Sequence, residues 1–218
     1  MSYIIVGLIA YLLGSISFSV IFSKKFAGVD VRTKGSGNAG STNVLRVAGK
    51  KAALCTLICD VLKGVVAILI AFLVGKIIKA DNNIAAILCE IAGLLVVIGH
   101  TFPVFFKFKG GKGVATSLGV LLTINWRLGL ICLVFALIIM ILTRIVSLGS
   151  ILAAVLFPVL CLFVPWSFIV SSDSHLSYII FSIILALLVI FNHRTNIVRV
   201  RNGTENKLNF NKKESNKK

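Results

Sequence analysis

The stretch GHTFPVFFKFKGGKGVAT, residues 99–116, gathers His100, Lys107, Lys109 and Lys112 around Gly110, Gly111 and Gly113. Glycine carries no Cβ, so the backbone around it can approach a ligand closely. Successive N–H groups in such a turn form a concave nest for anions. With cations alongside, the chemistry on offer is phosphate binding. A second segment, GSGNAGSTNVLR at 35–46, sets Ser36, Asn38, Thr42, Asn43 and Arg46 among further glycines. Small hydroxyls and amides donate hydrogen bonds, and arginine can hold a phosphate through two parallel ones. His193 and Asn196 fall within one helical turn of HRTNIVRVRNGTE, 193–205, which ends on Glu205. Ser147 and Ser150 stand in TRIVSLGS, 143–150. None of these segments holds a carboxylate pair, a Ser–His–Asp order or a metal-ligand spacing. A reaction here would rest on positioning and electrostatics, without a dedicated triad.

Two familiar phosphate motifs are excluded. GSGNAG at 35–40 fits G-x-G-x-x-G, and Asp60 follows at a dinucleotide-like distance. No buried strand precedes it, however, and Asp60 lies in an apolar run, so the βαβ context is missing. GGKG at 110–113 is not a Walker A loop, because Phe106 stands where the first glycine belongs and Gly113 where Ser or Thr should follow the lysine. The five cysteines (Cys55, Cys59, Cys89, Cys132 and Cys161) lie in or beside apolar runs without metal-site spacing. They read as small hydrophobes.

The elements that must position these segments are membrane helices. Hydrophobic residues make up 58% of the chain and its mean hydropathy is +1.02, above the roughly 45–50% apolar content of soluble domains. The excess falls into blocks. The reading is an all-α, polytopic transmembrane helix bundle of about seven spans. The spans lie near 3–22, 52–78, 84–99, 114–124, 128–143, 151–170 and 176–191. The run at 114–124 is short for a crossing, and Pro158 and Pro165 are expected to kink the sixth span. The first run has no cleavage site after it and is read as a retained span. Asp60 and Lys63 share a helix face and can pair within the second span; Glu90 in the third needs a partner. Residues 1–205 form one membrane domain and 206–218 a basic, disordered tail.

Charge orients the bundle. The net charge is +16, from 23 Lys and Arg against 7 Asp and Glu. In a soluble chain that would suggest nucleic acid; here the basic residues flank spans, and no nucleic-acid partner is implied. With the N-terminus outside, the segments 23–51, 100–113, 144–150 and 193–218 share one side and hold 7, 3, 1 and 8 of the basic residues, 19 of 23. The positive-inside rule makes that side, and the C-terminus, cytoplasmic. Both glycine-rich segments lie there. An organophosphate or anion transporter would share these features, but would favour a polar path at mid-membrane and inverted repeats. No repeat is visible. A membrane scaffold without small-molecule dependence is a third reading.

Taken together, GSGNAGSTNVLR, DVLKG at 60–64, GHTFPVFFKFKGGKGVAT, TRIVSLGS and HRTNIVRVRNGTE resemble the bacterial acyl-phosphate-dependent glycerol-3-phosphate acyltransferases, in that family's order and over nearly the whole chain. Ala39 stands where the family often has proline, and Val200 where leucine is usual. The resemblance implies transfer of a fatty acyl group from acyl phosphate to sn-glycerol 3-phosphate. The products would be 1-acyl-glycerol 3-phosphate and phosphate, made at the cytoplasmic face of a bacterial plasma membrane without metal or other cofactor. It suggests that Ser36, Asn38, Thr42, Asn43, Gly110, Gly111 and Gly113 hold the acyl-phosphate head. Arg46, His100, Lys109 or Lys112, Ser147, His193 and Asn196 would serve glycerol 3-phosphate and the reaction, with Asp60, Lys63, Ser150 and Glu205 behind them.

Overall fold

The computed structural model describes residues 1–163 and 175–208; Pro165 and the end of the tail lie outside them. The helices are α1 (Ser2–Gly14), α2 (Phe18–Ala27), α3 (Ser41–Ile77), α4 (Asn82–Thr101), α5 (Val114–Ile124), α6 (Trp126–Thr143), α7 (Val146–Cys161), α8 (His175–Asn192) and α9 (Arg194–Arg201). No strand occurs among the described residues. Five segments are long and apolar enough to cross a bilayer: 2–27, α3, 82–106, α6 and α8. Two shorter apolar helices, α5 and α7, complete the set. At 11 residues, α5 measures ~16 Å, about half the hydrocarbon thickness. α7 runs through Pro158 without an interruption.

Small residues let the helices meet backbone to backbone. A Cβ on Gly14 would strike the Val96 carbonyl and one on Gly99 the Tyr11 carbonyl, locking α1 to α4. Gly64 and Gly119 do the same for α3 and α5. The main core fills the space between them, with Ile68, Leu88, Val96, Ile124 and Leu128 fully buried. Phe157, Tyr178 and Phe181 form an aromatic cluster between α7 and α8.

The sequence reading has one helix over 3–22. The chain instead leaves helix at Ser15–Ser17, between α1 and α2. The cause is remote. Lys63 Nζ donates to the Gly14 and Ile16 carbonyls, both at 3.0 Å, replacing lost intrahelical bonds. It also pairs with Asp60 at 2.9 Å, as the i, i+3 spacing predicts. The break supports the neighbouring loop as well: Tyr11 Oη donates to the Phe102 carbonyl, and the Val104 amide donates to Ser15 Oγ. Removing one member of a buried pair strands the other charge, so Lys63→Met should lower stability by about 3–5 kcal/mol. Thermal and denaturant unfolding in mild detergent measure this; an unshifted midpoint would show that Lys63 does not hold the break. Glu90 finds its partner in α8, accepting from Ser177 Oγ at 3.0 Å.

A second correction concerns 23–51, read as a loop. Helix α3 begins at Ser41, and its backbone turns non-helical at Gly49 (φ 82°, ψ 179°), so that 41–48 is a separate helical piece. A small second core of Val20, Val31, Ala39, Val44, Ala52 and Ala53 packs this piece and the 29–40 loop against α2.

Candidate active site

The two glycine-rich loops are neighbours. The Ala39 amide donates to the Gly110 carbonyl at 3.3 Å. Arg32 reinforces the contact, donating to the Phe106 carbonyl at 2.7 Å while Asp30 holds its guanidinium. The hydrogen bond from Arg32 keeps the Asp30 carboxyl down at about 2, so this staple is ionised throughout the physiological range. Nothing in the sequence marks Arg32, because a basic residue in a basic loop carries no sign of its long-range partner.

Within the second loop, the glycines work differently from the expected nest. The Gly110 amide donates to the Thr101 carbonyl and the Gly111 amide to the His100 carbonyl, both at 3.1 Å. Those hydrogens bond to the last turn of α4 and tie the loop to it. The residues must be glycine for another reason: a Cβ on Gly110 would fall on the His100 carbonyl, and one on Gly111 on the His100 ring. Gly113 takes a left-handed conformation (φ 87°) that starts α5. His100 is buried, its Nδ1 3.4 Å from Asp60 Oδ1. It thereby ties the loop to the ion pair beneath.

In the first loop Asn43 is likewise spent on the fold. Its Nδ2 shares its two hydrogens among the carbonyls of Val31, Lys34 and Asn38, all at 3.0–3.1 Å, and its Oδ1 accepts from the Ser36 amide. Asn43 therefore shapes the loop from behind. Ser36 is exposed, and Asn38 and Thr42 are half-buried, beside the start of α3.

The open donors belong to helix N-termini. α3, α5 and α7 begin without a side-chain cap. α4 and α6 are capped by Asp81 and Asn125. Among the described residues, the amides of Ser41 and Thr42 and of Val114 and Ala115 donate to no protein group. An uncapped helix start combines free N–H groups with the positive end of the helix dipole, which suits an anion. Here two such starts adjoin through Ala39 and Gly110.

A polar chain links α5, α7 and α9. Lys112 Nζ donates to Asn196 Oδ1. Asn196 Nδ2 and Ser147 Oγ both donate to Glu205 Oε1, at 2.6 and 3.0 Å, and Arg199 Nε donates to Oε2 at 2.7 Å. Burial opposes ionisation of Glu205, but the bonds from Arg199, Asn196 and Ser147 outweigh it and keep the carboxyl below its usual range. Glu205 thus stays an acceptor that fixes the donors around it. Ser150 Oγ is used within α7, on the Val146 carbonyl. Of the two candidate lysines, Lys112 joins this cluster while Lys109 is exposed on the loop's rim. Arg46 is exposed on α3 yet within electrostatic reach of Lys112.

His193 caps the cluster. Its Nδ1 lies 2.8 Å from the Val189 carbonyl, which can only accept, so Nδ1 carries the proton and Nε2 the lone pair. Burial holds its pKa down to about 4, so it is neutral at pH 7. Burial likewise brings Lys112 down to about 8, with Arg46 and Arg199 adding repulsion. Lys112 is cationic below that value and neutral above it. If it receives a phosphate, kcat/KM should fall as pH rises through about 8. kcat should fall less, since a bound dianion restores the charge. Lys112→Arg should flatten the decline, and an identical alkaline limb in that variant would assign the titration elsewhere.

The multi-pass helical bundle is that of an integral membrane protein, and its adjoining uncapped helix starts, partly buried lysine and oriented amides are donors suited to an anion. Comparison with known proteins places it further. The family model described as Glycerol-3-phosphate acyltransferase matches residues 4–203, and the chain belongs to that family. A glycerol-3-phosphate acyltransferase of Clostridioides difficile (strain 630) is 45% identical over 207 residues, covering 95% of this chain and 96% of that one. One from Thermoanaerobacter sp. (strain X514) is 48% identical over 205 residues, 94% and 95% of the two chains. The crystal structure of PlsY (YgiH), an integral membrane glycerol 3-phosphate acyltransferase, superposes with a TM-score of 0.81 at 35% identity in its glycerol 3-phosphate form. The score is 0.80 in its lysophosphatidic acid form, and each match covers 96% of both chains.

Proposed function

We propose that this acyltransferase moves a fatty acyl group from acyl phosphate to sn-glycerol 3-phosphate, giving 1-acyl-glycerol 3-phosphate and inorganic phosphate. The observation that carries the reading is the pair of uncapped helix starts joined by Ala39 and Gly110, beside a separate cluster of cation, amide and hydroxyl donors. Both substrates present a phosphate, and the two groups of donors would serve one each.

In this reading the starts of α3 and α5, with Ser36, Asn38 and Thr42, hold the acyl-phosphate head; Gly110, Gly111 and Gly113 give that head its room. Arg46, Lys112 and Asn196 hold the phosphate of glycerol 3-phosphate, while Ser147, whose proton goes to Glu205, offers its oxygen lone pairs to a glycerol hydroxyl. Neutral His193 offers Nε2 to the glycerol hydroxyl and orients it, while a pKa of about 4 makes it a poor proton acceptor. The acyl phosphate is already activated, so the hydroxyl oxygen attacks its carbonyl carbon directly. The bond to phosphate breaks, and the proton passes to a phosphate oxygen. Proximity supplies most of the rate. The spans number seven, with the N-terminus outside and the site on the cytoplasmic face of a bacterial plasma membrane. That arrangement is supported by the 19 basic residues on the site side. Residues 1–205 form the catalytic membrane domain and 206–218 a basic tail.

Purified protein should convert acyl phosphate and labelled glycerol 3-phosphate to lysophosphatidic acid, with one phosphate released per product. Arg46→Ala and His193→Ala should each lower kcat/KM for glycerol 3-phosphate by about 10- to 100-fold. Wild-type rates with unchanged Michaelis constants in both would refute the roles given to them.

A further inference from the structure

A cavity of about 110 Å³ opens between α5, α6, α7 and α8. Its walls are apolar side chains, save for Ser117 and Ser150 near one end. That end begins at Val114, the residue after Gly113, so the cavity and the α5 anion site share one helical turn. Leu121, Cys132 and Phe157 line the other end, ~10 Å further along by helix rise. Phe157 is held there by edge contacts with Tyr178 and Phe181.

The two hydroxyls differ. Ser150 Oγ is satisfied by the Val146 carbonyl. Ser117 is only 9% exposed, and its buried Oγ has no hydrogen-bond partner among the described residues. A buried hydroxyl left unpaired is costly, and a hydroxyl at the head of an apolar cavity suits a ligand with a carbonyl above a hydrocarbon chain. Ser117 escaped the sequence reading because it sits in a short apolar run, where a serine looks like helix packing.

We propose that Ser117 Oγ–H, at the head of this cavity, donates to the carbonyl oxygen of the acyl donor, and that Ala154 limits the length of chain the cavity admits. The inference rests on the acyl-phosphate reading above. As the glycerol hydroxyl oxygen bonds to the carbonyl carbon, the C=O electron pair shifts to oxygen and Ser117 stabilises the charge that develops. The carbonyl then re-forms, the bond to the phosphate oxygen breaks with its electron pair on the leaving phosphate, and the hydroxyl proton goes to that phosphate. Ser117 stays uncharged and forms no covalent bond. On α7, Ala154 lines the middle of the cavity, so a larger residue there shortens the space for the chain.

The test uses purified full-length protein, a series of acyl phosphates of increasing chain length, and size-exclusion profiles to confirm folding. Ser117→Ala should reduce kcat by about 100-fold while KM for glycerol 3-phosphate stays within about twofold. Ala154→Phe should lower the ratio of long-chain to short-chain kcat/KM by about tenfold or more. Wild-type kcat in Ser117→Ala, or an unchanged ratio in Ala154→Phe, would overturn the corresponding half of this proposal and leave the donor assignment standing. If the wild-type protein uses no acyl phosphate of any length, the donor assignment itself fails and takes this subsite with it.

Discussion

Gly111→Ala is expected to reduce kcat/KM for the acyl donor by about 100-fold, chiefly through KM. The amide of Gly111 donates to the His100 carbonyl. The damage comes from the added methyl, which would land on the His100 ring and press on the Ala39 carbonyl 2.8 Å away. His100 cannot yield easily, because it is buried against Asp60 and Lys63, which is itself fastened to the broken first helix. The loop must therefore shift, carrying with it the start of α5 three residues on and its contact to the start of α3. An effect confined to glycerol 3-phosphate would contradict the assignment of this loop to the donor.

Lys112→Met should have the second large effect, a loss of about 10³-fold in kcat. Lys112 is the cation drawn into the cluster with Asn196, and burial strengthens any charge interaction it makes with a phosphate. Methionine keeps most of the side-chain volume, so the loss reports charge and hydrogen bonding more than packing. Lys112→Arg should recover part of the rate, because a guanidinium restores the charge with a different donor geometry. Loss of activity in Lys109→Met equal to that in Lys112→Met would show that the rim lysine has been misjudged, since Lys109 is exposed and outside the cluster.

Much of this was legible in the chain. Apolar blocks gave the helices, and the i, i+3 spacing gave the Asp60–Lys63 pair. The offset between His193 and Asn196 gave a shared turn. Four features were hidden for physical reasons. The break at Ser15–Ser17 lies in an unbroken apolar run; what stabilises it is the Lys63 ammonium, 47 and 49 residues along the chain from the carbonyls it caps. Gly110 and Gly111 advertise open amides, yet the same lack of Cβ serves close packing, and only the fold shows which use prevails. Asn43 looks like a ligand donor because asparagine is one, but its amide group closes the loop instead. The uncapped helix starts were equally invisible, because Ser41 and Thr42 look like caps and are helical residues after Gly40.

The central claim is that an activated acyl phosphate, gripped by helix starts, gives its acyl group directly to glycerol 3-phosphate. Purified protein supplied with labelled glycerol 3-phosphate and, in parallel, with acyl phosphate, acyl-CoA or acyl carrier protein tests it most directly. The expected result is lysophosphatidic acid from acyl phosphate alone, matched by release of inorganic phosphate. Comparable product from acyl-CoA or acyl carrier protein, with none from acyl phosphate, would contradict it.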